Sequence, residues 1–311
     1  MGASQGVSGE KIWLDGRFVD WADATVHILT HTLHYGLGVF EGIRCYRTAD
    51  ERSAVFRLGD HLQRLFDSAH INLMEIPFSP AQIEEAVLET LRQNHLAEGY
   101  VRPLVFIGDG EMGLNPGGNA VRAAVIAWAW GKYLGEESME AGIRAKVSTF
   151  SRHHVNSKMT KGKTCGDYVN SILAKREALL DGYDEAILLD PQGLVSEASG
   201  ENIFLVSDGV LKSPPLATVL GGITRSTVIE IARDKGVPVE ERPITRDELY
   251  IADELFLTGT AAEVTPIREV DRRRIGSGRR GPVTGMLQSA FFDVVKGRDR
   301  KYERWLSYLQ V

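Results

Sequence analysis

Three lysines stand close together just before a segment that is expected to be helical. Lys158, Lys161 and Lys163 lie within six consecutive positions. A Cys-Gly-Asp-Tyr segment follows, in which Asp167 is a candidate N-cap and Tyr168 lies in the first turn. Charge runs of this kind are most often solvated basic loops. A lysine that is desolvated beside a helix start can instead lose its proton and attack a carbonyl to form a Schiff base.

Two segments rich in glycine and hydroxyl groups could hold an anion. Residues 221–224, Gly-Gly-Ile-Thr, precede a predicted helix, so backbone N–H groups, the helix dipole and the Thr224 hydroxyl could converge on a phosphate. Residues 258–262 follow a predicted strand and have a similar composition. Residues 196–202 place the Glu197 carboxylate among small side chains before an apolar strand. Each segment taken alone is more often a cap or a polar turn.

Two other chemistries are less well supported. Residues 108–113 fit G-x-G-x-x-G, but Leu-Asn-Pro-Gly-Gly follows instead of a helix, and no acidic residue ends a second strand about 20 positions later. A nicotinamide dehydrogenase is therefore a low-ranking alternative. The histidines His27, His31 and His34 could approach one another, but no Cys, Asp or Glu joins them at ligand spacing. We expect no metal site.

The composition is that of a compact protein with a small-molecule partner. Of the 311 residues, 43% are hydrophobic and 25% are charged, which is close to the globular average. The net charge of −6, from 36 basic and 42 acidic side chains, disfavours a nucleic-acid partner. The most apolar stretch, residues 120–130, is interrupted by Arg122 and is much shorter than the roughly 20 residues that span a bilayer. We expect no membrane partner.

The location is predicted from the N-terminus and the cysteines. The first ten residues are rich in Gly and Ser and contain no apolar region of a secretory signal. Cys45 and Cys165 are the two cysteines, which is too few for a disulfide framework and is compatible with a reducing compartment. We expect a cytoplasmic protein.

Hydrophobic periodicity predicts that two α/β regions position these groups. In the first region we expect a hairpin at 11–20, strands at 39–46, 54–57, 101–107 and 123–130, and helices starting near Asp60 and Ser79. In the second we expect strands at 145–150, 185–189, 202–206 and 255–258, and helices at 167–180, 224–234 and 282–296. Residues 132–142 have neither strand alternation nor an apolar face. We therefore predict a small N-terminal domain at 1–131, a linker at 132–142 and a large C-terminal domain at 143–311.

Taken in order, these segments resemble the branched-chain amino acid aminotransferases, which are fold-type IV pyridoxal phosphate enzymes. The similar stretches cover nearly the whole chain and lie at residues 12–13, 34–44, 61–65, 100–103, 110–116, 163–168, 197–202, 222–225 and 259–263. The resemblance implies an α/β (α+β) fold with a smaller N-terminal and a larger C-terminal domain and a cofactor site at their interface.

The resemblance also assigns the cofactor-binding residues. In the family, the Schiff-base lysine stands five residues before a tyrosine that opens a helix. This spacing selects Lys163 and Tyr168 here. Lys163 would hold pyridoxal 5′-phosphate and shuttle the substrate proton, and Tyr168 would bind the phenolic oxygen. Glu197 would pair with the pyridine nitrogen, and Arg64 would grip the phosphate. The remaining implied cofactor contacts are Leu220, Gly222, Ile223, Thr224 and Thr260.

The implied substrate pocket has to accept branched apolar side chains and also the acidic side chain of glutamate. Arg102, with Tyr35 and Tyr133 nearby, would take the distal carboxylate of 2-oxoglutarate. The α-carboxylate would rest on Thr260-Ala261 near Tyr100. Gly42 would let the backbone approach the cofactor ring. Arg44 is a further substrate-binding residue that the resemblance implies. The implied apolar wall consists of Tyr35, Phe40, Met112, Leu114, Trp130 and Ala262.

By this resemblance the protein reversibly transfers the amino group of leucine, isoleucine or valine to 2-oxoglutarate and forms glutamate. D-amino acid and (R)-amine transaminases are the alternatives within the fold, and the Tyr100-x-Arg102 motif favours the branched-chain class. A homodimer or a larger homo-oligomer, with a hexamer among the options, is implied. The sequence departs from the family pattern at residues 153–162, which are more basic than usual, and at residues 220–222, where Leu-Gly-Gly replaces Leu-Pro-Gly.

Overall fold

The computed structural model describes residues 7–131 and 137–309. In chain order its strands are β1 (Lys11–Leu14), β2 (Arg17–Asp20), β3 (Gly38–Phe40), β4 (Ile43–Arg47), β5 (Ser53–Phe56), β6 (Gly99–Ile107), β7 (Val121–Trp128), β8 (Ile143–Val147), β9 (Glu185–Leu189), β10 (Val195–Ala198), β11 (Asn202–Ser207), β12 (Val210–Ser213), β13 (Val239–Glu241), β14 (Glu254–Gly259), β15 (Glu263–Val270), β16 (Arg273–Arg274) and β17 (Leu306–Tyr308). The helices are α1 (His31–Tyr35), α2 (Leu58–Ile71), α3 (Pro80–Gln93), α4 (Ser138–Ala141), α5 (Tyr168–Leu180), α6 (Ile223–Asp234), α7 (Arg246–Ile251) and α8 (Pro282–Val295).

The chain forms two compact units, and the first is built from three stretches. It takes in the described residues up to Gly131, residues 162–166, and those from Val294 onward. The second unit takes in residues 137–161 and residues 167–293. The short stretch at 162–166 contains Lys163 and therefore belongs to the first unit, apart from the sequence on either side of it. The domain boundaries expected from the sequence stay a prediction.

The first unit is an antiparallel sheet covered by two amphipathic helices. The strand order is β17-β5-β4-β6-β7-β1-β2, and β3 also pairs with β6. The predicted hairpin at 11–20 is confirmed, because Asp15 and Gly16 both adopt positive φ in the two-residue turn between β1 and β2. Helix α2 buries one face at Leu58, Leu62, Leu65 and Ala69. Helix α3 begins with a Ser79–Gln82 capping box, which confirms the prediction that Ser79 is its N-cap.

The single strand predicted at 39–46 is interrupted in the structure. Both β3 and β4 pair with β6 in one continuous register, since Phe40 faces Leu104 and Ile43 faces Val101. The gap lies opposite Pro103, which has no N–H group to donate to the neighbouring strand. The Glu41 N–H still donates to the Pro103 carbonyl at 2.9 Å. The interruption leaves Glu41 and Gly42 between two strands.

The second unit is a mixed sheet in the order β10-β9-β8-β15-β14-β11-β12-β13, with β16 on β15. Strand β8 is parallel to β9 and to β15, while β14 is antiparallel to both β11 and β15 in the centre of the sheet. Its main core is apolar and includes Ile143, Ile187, Ile203, Leu257 and Ile267. The predicted helices at 167–180, 224–234 and 282–296 correspond to α5, α6 and α8.

Parts of the second unit differ from the sequence-based expectation. Residues 132–136 of the predicted linker lie outside the described residues. The described remainder contains α4, where Met139 is buried and its carbonyl accepts a hydrogen bond from Gln288 Nε2 at 3.0 Å. Of residues 196–202, for which a polar turn was the alternative, the part that carries Glu197 lies on the fully buried strand β10, and a bend at 199–201 follows it. None of the described helices is long and apolar enough to cross a membrane.

Candidate active site

The backbone of Lys163 is fixed against the first unit. Its N–H donates to Ser68 Oγ at 3.0 Å, and its carbonyl accepts from the Phe40 N–H at 3.2 Å. The next residue, Thr164, forms an antiparallel bridge with Val39 of β3. The Lys163 ammonium lies 4.9 Å from the centroid of the Phe40 ring. A short extension of the sheet edge therefore presents this lysine beside an aromatic face.

The other two lysines of the basic run have different partners. Lys158 Nζ lies 2.6 Å from the Asp167 carboxylate, and Lys161 Nζ donates to the carbonyls of Leu216 and Val219. Asp167 stands at the N-cap position of α5, but its side chain caps no helical N–H. Its predicted capping role is wrong because the carboxylate binds Lys158 instead. Helix α5 does begin at Tyr168, as expected.

Arg64 is locked to a buried carboxylate. Its Nε and Nη2 donate to the two oxygens of Glu41 at 2.6 and 2.9 Å, and His61 Nδ1 lies 2.7 Å from the second oxygen. Glu41 is 0% exposed. Burial alone would raise the pKa of the Glu41 carboxyl, but the Arg64 charge and the hydrogen bonds to both partners hold that pKa well below its usual range. Burial lowers the pKa of His61, which favours a neutral ring that donates its Nδ1 proton.

Sequence reasoning assigned a role to Arg64 but none to Glu41 or His61. The signal was present, because His61 and Arg64 are three residues apart on an amphipathic helix and so share a face. A glutamate inside the apolar run at 39–46 also needs a partner if it is buried. Only the pairing of β3 and β4 with β6 places that carboxylate against α2.

Arg102 lies among aromatic rings on β6. Its guanidinium carbon is 4.6 Å from the Phe40 ring centroid, 5.4 Å from that of Tyr100 and 6.0 Å from that of Trp128. Tyr100 and Arg102 are two residues apart on one strand and share a face, and Arg102 Nη2 lies 3.3 Å from the Tyr100 hydroxyl. The buried Arg102 Nε has no hydrogen-bond partner within the described residues. This cation can accept an anion on an apolar background.

Gly42 and Tyr100 make a close approach that excludes a larger residue. A Cβ added at Gly42 would collide with the Tyr100 hydroxyl, so glycine is required there. The Tyr100 ring packs edge-on against Trp130 at 4.4 Å. Arg44 Nη2 donates to the carbonyls of Trp130 and Gly131 at 3.1 and 2.6 Å, and so anchors the chain there. Tyr133, another expected substrate contact, lies outside the described residues.

The expected apolar wall is only partly assembled in the single chain. Phe40 and Trp130 contact the Arg102–Tyr100 pair, whereas Tyr35, Met112 and Leu114 are exposed on its surface, Leu114 by 93%. His31 links these exposed residues, because its Nε2 lies 2.7 Å from the Gly113 carbonyl and its ring packs against Tyr35.

In the second unit, Glu197 is buried on β10. Arg152 Nη2 lies 2.6 Å from Glu197 Oε1, and the Leu220 N–H and Asn202 Nδ2 donate to Oε2 at 3.2 and 3.4 Å. Asn202 also donates to the Leu220 carbonyl at 3.0 Å. The carboxylate is therefore held in one orientation beside the segment that leads into α6.

The N-terminus of α6 has the features of an anion site. Gly222 occupies the N-cap position without a side-chain cap, and Thr224 is buried in the first turn. A Cβ at Gly222 would collide with Asn202, whereas a Cβ at Gly221 would meet no atom within 4 Å. Backbone N–H groups at such a helix start favour a phosphate or carboxylate. Ile223 opens the helix, so the predicted start at Thr224 is one residue late.

The second hydroxyl-bearing segment is a tight turn. Residues Thr260, Ala261 and Ala262 join β14 to β15, and the Ala262 carbonyl accepts a hydrogen bond from Thr265 Oγ1 at 2.6 Å. Thr258, at the end of β14, has a buried hydroxyl that finds no partner in the part of the chain described. Small side chains and an unsatisfied hydroxyl leave this turn able to receive a polar ligand group.

The two alternative chemistries lack their structural context. Residues 108–113 lie between the antiparallel strands β6 and β7, and no helix follows them, so the dinucleotide interpretation of this motif is wrong. His34 Nε2 lies 2.8 Å from the Ile28 carbonyl, which is an ordinary hydrogen bond. Across residues 7–131 and 137–309, no three His, Cys, Asp or Glu side chains cluster as metal ligands would.

Known proteins resemble this chain over nearly its full length. The family model for class IV aminotransferases matches residues 38–270. A branched-chain-amino-acid aminotransferase of Pseudomonas aeruginosa is 54% identical over 94% of this chain and 95% of that protein. A protein of the same name from Escherichia coli is 46% identical over 96% of each chain.

Solved structures agree with these relatives. A crystal structure of the T.th. branched-chain amino acid aminotransferase with pyridoxamine 5′-phosphate superposes with a TM-score of 0.95 at 47% identity, covering 98% of this chain and all of that one. The Escherichia coli enzyme also gives a TM-score of 0.95, at 44% identity over 97% of this chain and 100% of its own. These similarities bear out the predicted two-domain fold-type IV class. The chain therefore belongs to the class IV aminotransferase family, among its branched-chain-amino-acid aminotransferases.

Proposed function

We propose that this protein is a pyridoxal 5′-phosphate-dependent transaminase. It moves the amino group of L-leucine, L-isoleucine or L-valine to 2-oxoglutarate, giving the branched-chain 2-oxo acids and L-glutamate. The observation that carries this substrate choice is Arg102, a cation with an unsatisfied buried Nε among the Phe40, Tyr100 and Trp128 rings. Such a pocket offers an aromatic surface to a branched side chain and a guanidinium to the carboxylate of glutamate.

The donor set fits pyridoxal 5′-phosphate. A buried carboxylate at Glu197 suits a protonated pyridine nitrogen, and the uncapped start of α6 suits a phosphate. Lys163 and Tyr168 would hold the reactive end, and Arg64 would bind the phosphate. When bound, the cofactor supplies a carbonyl that reacts with amines and a ring that accepts electrons from the substrate α-carbon. The further proposed contacts are Leu220, Gly222, Ile223, Thr224 and Thr260.

Each of these side chains has a defined task in the proposed reaction. Lys163 would take the proton from the substrate α-carbon and deliver it to C4′ of the cofactor, and would move it back in the reverse direction. Its backbone is fixed for this task by Ser68 and Phe40. Glu197 keeps a proton on the pyridine nitrogen. Its orientation is set by Arg152 and by the Leu220 N–H.

The substrate is oriented by both of its ends in the same proposal. Arg102 binds the distal carboxylate, and the turn at Thr260–Ala261 with the Tyr100 hydroxyl receives the α-carboxylate. Gly42 keeps the space beside Tyr100 open, since any side chain there would collide with that hydroxyl. Phe40 and Trp130 supply apolar surface for leucine, isoleucine or valine.

The substrate proposal is tested with purified holoenzyme. We expect a yellow protein whose visible spectrum changes on addition of L-leucine and is restored by 2-oxoglutarate. A panel containing both enantiomers of each amino acid, together with (R)-amines, separates the alternatives within the fold. Preference for D-amino acids or (R)-amines would replace the branched-chain proposal, and a colourless protein that reduces NAD would overturn the cofactor proposal.

Replacing Arg102 with alanine should raise the KM for 2-oxoglutarate by roughly 10- to 100-fold, the loss expected for a charge-assisted hydrogen bond of about 1.5–3 kcal/mol. The KM for L-leucine should change much less, because its side chain carries no charge. Steady-state kinetics with each substrate varied in turn measures both constants.

Arg122→Ala is the matched control for this variant. Arg122 also lies over an aromatic ring, at 5.3 Å from the centroid of Phe106, but it pairs with Asp15 at 2.7 Å. The Arg122→Ala variant should keep both KM values near those of the unsubstituted protein. Equal increases in both KM values for Arg102→Ala would reassign Arg102 to a structural role.

We further propose that the enzyme is a homodimer, or a larger homo-oligomer built from such dimers, in the cytoplasm. Helix α5 exposes an apolar stripe at Val169, Ile172, Leu173 and Leu180, at the spacing of one helix face. Tyr35, Met112 and Leu114 are also exposed, although family resemblance places them in the substrate wall. Both observations are accounted for if a second copy covers these surfaces and both copies contribute to each site.

Replacing Ile172 with glutamate should therefore lower the molar mass in solution towards that of one chain, because a charge would have to be buried in the contact. Size-exclusion chromatography with light scattering measures the mass. Ile251→Glu is the control, since Ile251 is 80% exposed on α7 and lies outside the stripe. If the unsubstituted protein runs as one chain, the oligomer proposal is wrong; an unchanged oligomer for Ile172→Glu excludes α5 from its contacts.

A further inference from the structure

Glu41 is a fully buried charge that the proposed reaction does not use. Both of its oxygens are engaged by Arg64, at 2.6 and 2.9 Å, in a two-point fork. The second oxygen also receives the His61 Nδ1 proton at 2.7 Å and the Gly42 N–H at 3.1 Å. Burying an ionised carboxylate so completely is costly unless it is paired and hydrogen-bonded, and here one contact to Oε1 and three to Oε2 meet that need.

The fork controls the orientation of the Arg64 side chain. A guanidinium is planar, so fixing its Nε and Nη2 on one carboxylate fixes the whole plane. The long arginine side chain otherwise has many rotamers, and ordering one of them on ligand binding costs free energy. Glu41 holds Arg64 in one rotamer before any ligand binds.

The position of the carboxylate is itself fixed by the sheet. Glu41 lies in the gap between β3 and β4, and its N–H donates to the Pro103 carbonyl at 2.9 Å. Its neighbour Phe40 donates its N–H to the Lys163 carbonyl. One short segment therefore carries both the carboxylate that orients Arg64 and the amide that holds the Lys163 backbone.

We propose that Glu41, with His61 as its second side-chain donor, is a positioning residue that pre-orients Arg64 for the cofactor phosphate. This inference rests on the proposed use of pyridoxal 5′-phosphate and of Arg64 as its phosphate ligand. Glu41 does not touch the cofactor; it acts through Arg64 alone. The conformational entropy of the Arg64 side chain is lost when the protein folds, so it is not lost again when the phosphate binds.

The test compares pyridoxal 5′-phosphate with pyridoxal, which lacks the phosphate. Both are titrated into the apoprotein, and their dissociation constants are measured by absorbance or by quenching of tryptophan fluorescence. In Glu41→Ala we expect the preference for the phosphorylated form to fall by roughly 10- to 100-fold, as for the loss of a charge-assisted contact. A merely structural role would weaken both ligands equally, and that result would overturn the proposal.

Two further variants keep the test decisive. Glu41→Gln retains the size of the side chain, yet it must turn an amide NH₂ toward a guanidinium nitrogen, because both Glu41 oxygens accept from Arg64. Glu41→Gln should therefore also lower the preference for the phosphorylated form, and it takes the place of the alanine variant if that variant does not fold. In an Arg64→Ala background, Glu41→Gln should have no additional effect; an undiminished effect there would contradict action through Arg64.

Asp60→Asn is the matched control. Asp60 lies on the same helix and pairs with Arg57 at 2.7 Å, without contact to Glu41. The Asp60→Asn apoprotein should prefer pyridoxal 5′-phosphate over pyridoxal as strongly as the unsubstituted apoprotein does. If the unsubstituted apoprotein binds neither ligand, the proposed function fails. If it binds the phosphorylated form tightly and the Glu41 variants keep the same preference, only the positioning role fails.

Discussion

Replacing Lys163 with alanine should lower the rate of transamination by about 10⁴-fold or more. The proton transfer that this lysine is proposed to perform contributes roughly 10²–10⁴-fold by itself, and the covalent attachment of the cofactor is lost as well. The structure fixes the Lys163 backbone at both its N–H and its carbonyl, so alanine at this position leaves that local frame intact. Single-turnover rates with L-leucine and with 2-oxoglutarate measure the two halves of the cycle separately.

The assignment among the three lysines is tested by chemistry. Borohydride reduction of the holoenzyme followed by peptide mapping should place the pyridoxyl group on Lys163. Lys158→Ala and Lys161→Ala are the controls, because the Lys158 ammonium is paired with Asp167 and that of Lys161 is bound to the Leu216 and Val219 carbonyls. Both controls should keep the covalent label. Finding the group on Lys158 or Lys161 would refute the proposed register.

Glu197→Gln is expected to have the second largest effect. The cofactor should still bind, because the α6 N-terminus is unchanged and the amide oxygen can still accept from the Leu220 N–H and Asn202 Nδ2. Turnover should fall by roughly 10²- to 10³-fold, the range seen when one electrostatic contact to a developing charge is removed. The physical reason is that a neutral amide no longer favours a protonated pyridine ring, which then accepts electrons less well.

Glu201→Gln provides a control within the same segment. Glu201 is also buried, and its burial together with the nearby charge of Glu185 raises the pKa of Glu201 to about 8. The raised pKa favours the neutral form of this carboxyl, which an amide resembles. We expect turnover at pH 7 close to that of the unsubstituted protein. An unchanged rate for Glu197→Gln would remove the proposed role of that residue.

Local sequence patterns predicted the elements that depend on short-range physics. The Asp15-Gly16 turn, the Ser79 capping box and the apolar face of α2 each follow from neighbours in the chain, and the structure confirms all three. The helix predicted at 167–180 placed Tyr168 in its first turn, which is also confirmed. The strands β10, β12 and β15 were missed; β10 has only four residues and is buried on both faces, so it shows no alternation of buried and exposed positions.

Side-chain roles that depend on distant partners were harder to predict. Asp167 was expected to cap α5, but Lys158 occupies its carboxylate. The Nη2 of Arg44 donates to the carbonyls of residues 130 and 131, a partnership that the sequence did not indicate, and its place in the substrate site stays a prediction. An aspartate before a helix and an arginine in a motif have several possible partners, and the local sequence does not rank them.

The sequence by itself determined the family, the order of the motifs and the identity of the candidate chemical groups, because these are properties of residue type and spacing. Only the tertiary structure decided which groups meet. Glu41 and Arg64 are 23 positions apart, and Lys163 and Ser68 are 95 apart. Such pairings follow from strand register, here the single register of β3 and β4 across Pro103. Between strands that are far apart in the chain and joined by no tight turn, the register depends on how the buried faces of the whole sheet pack, so the residues around Glu41 do not determine it by themselves.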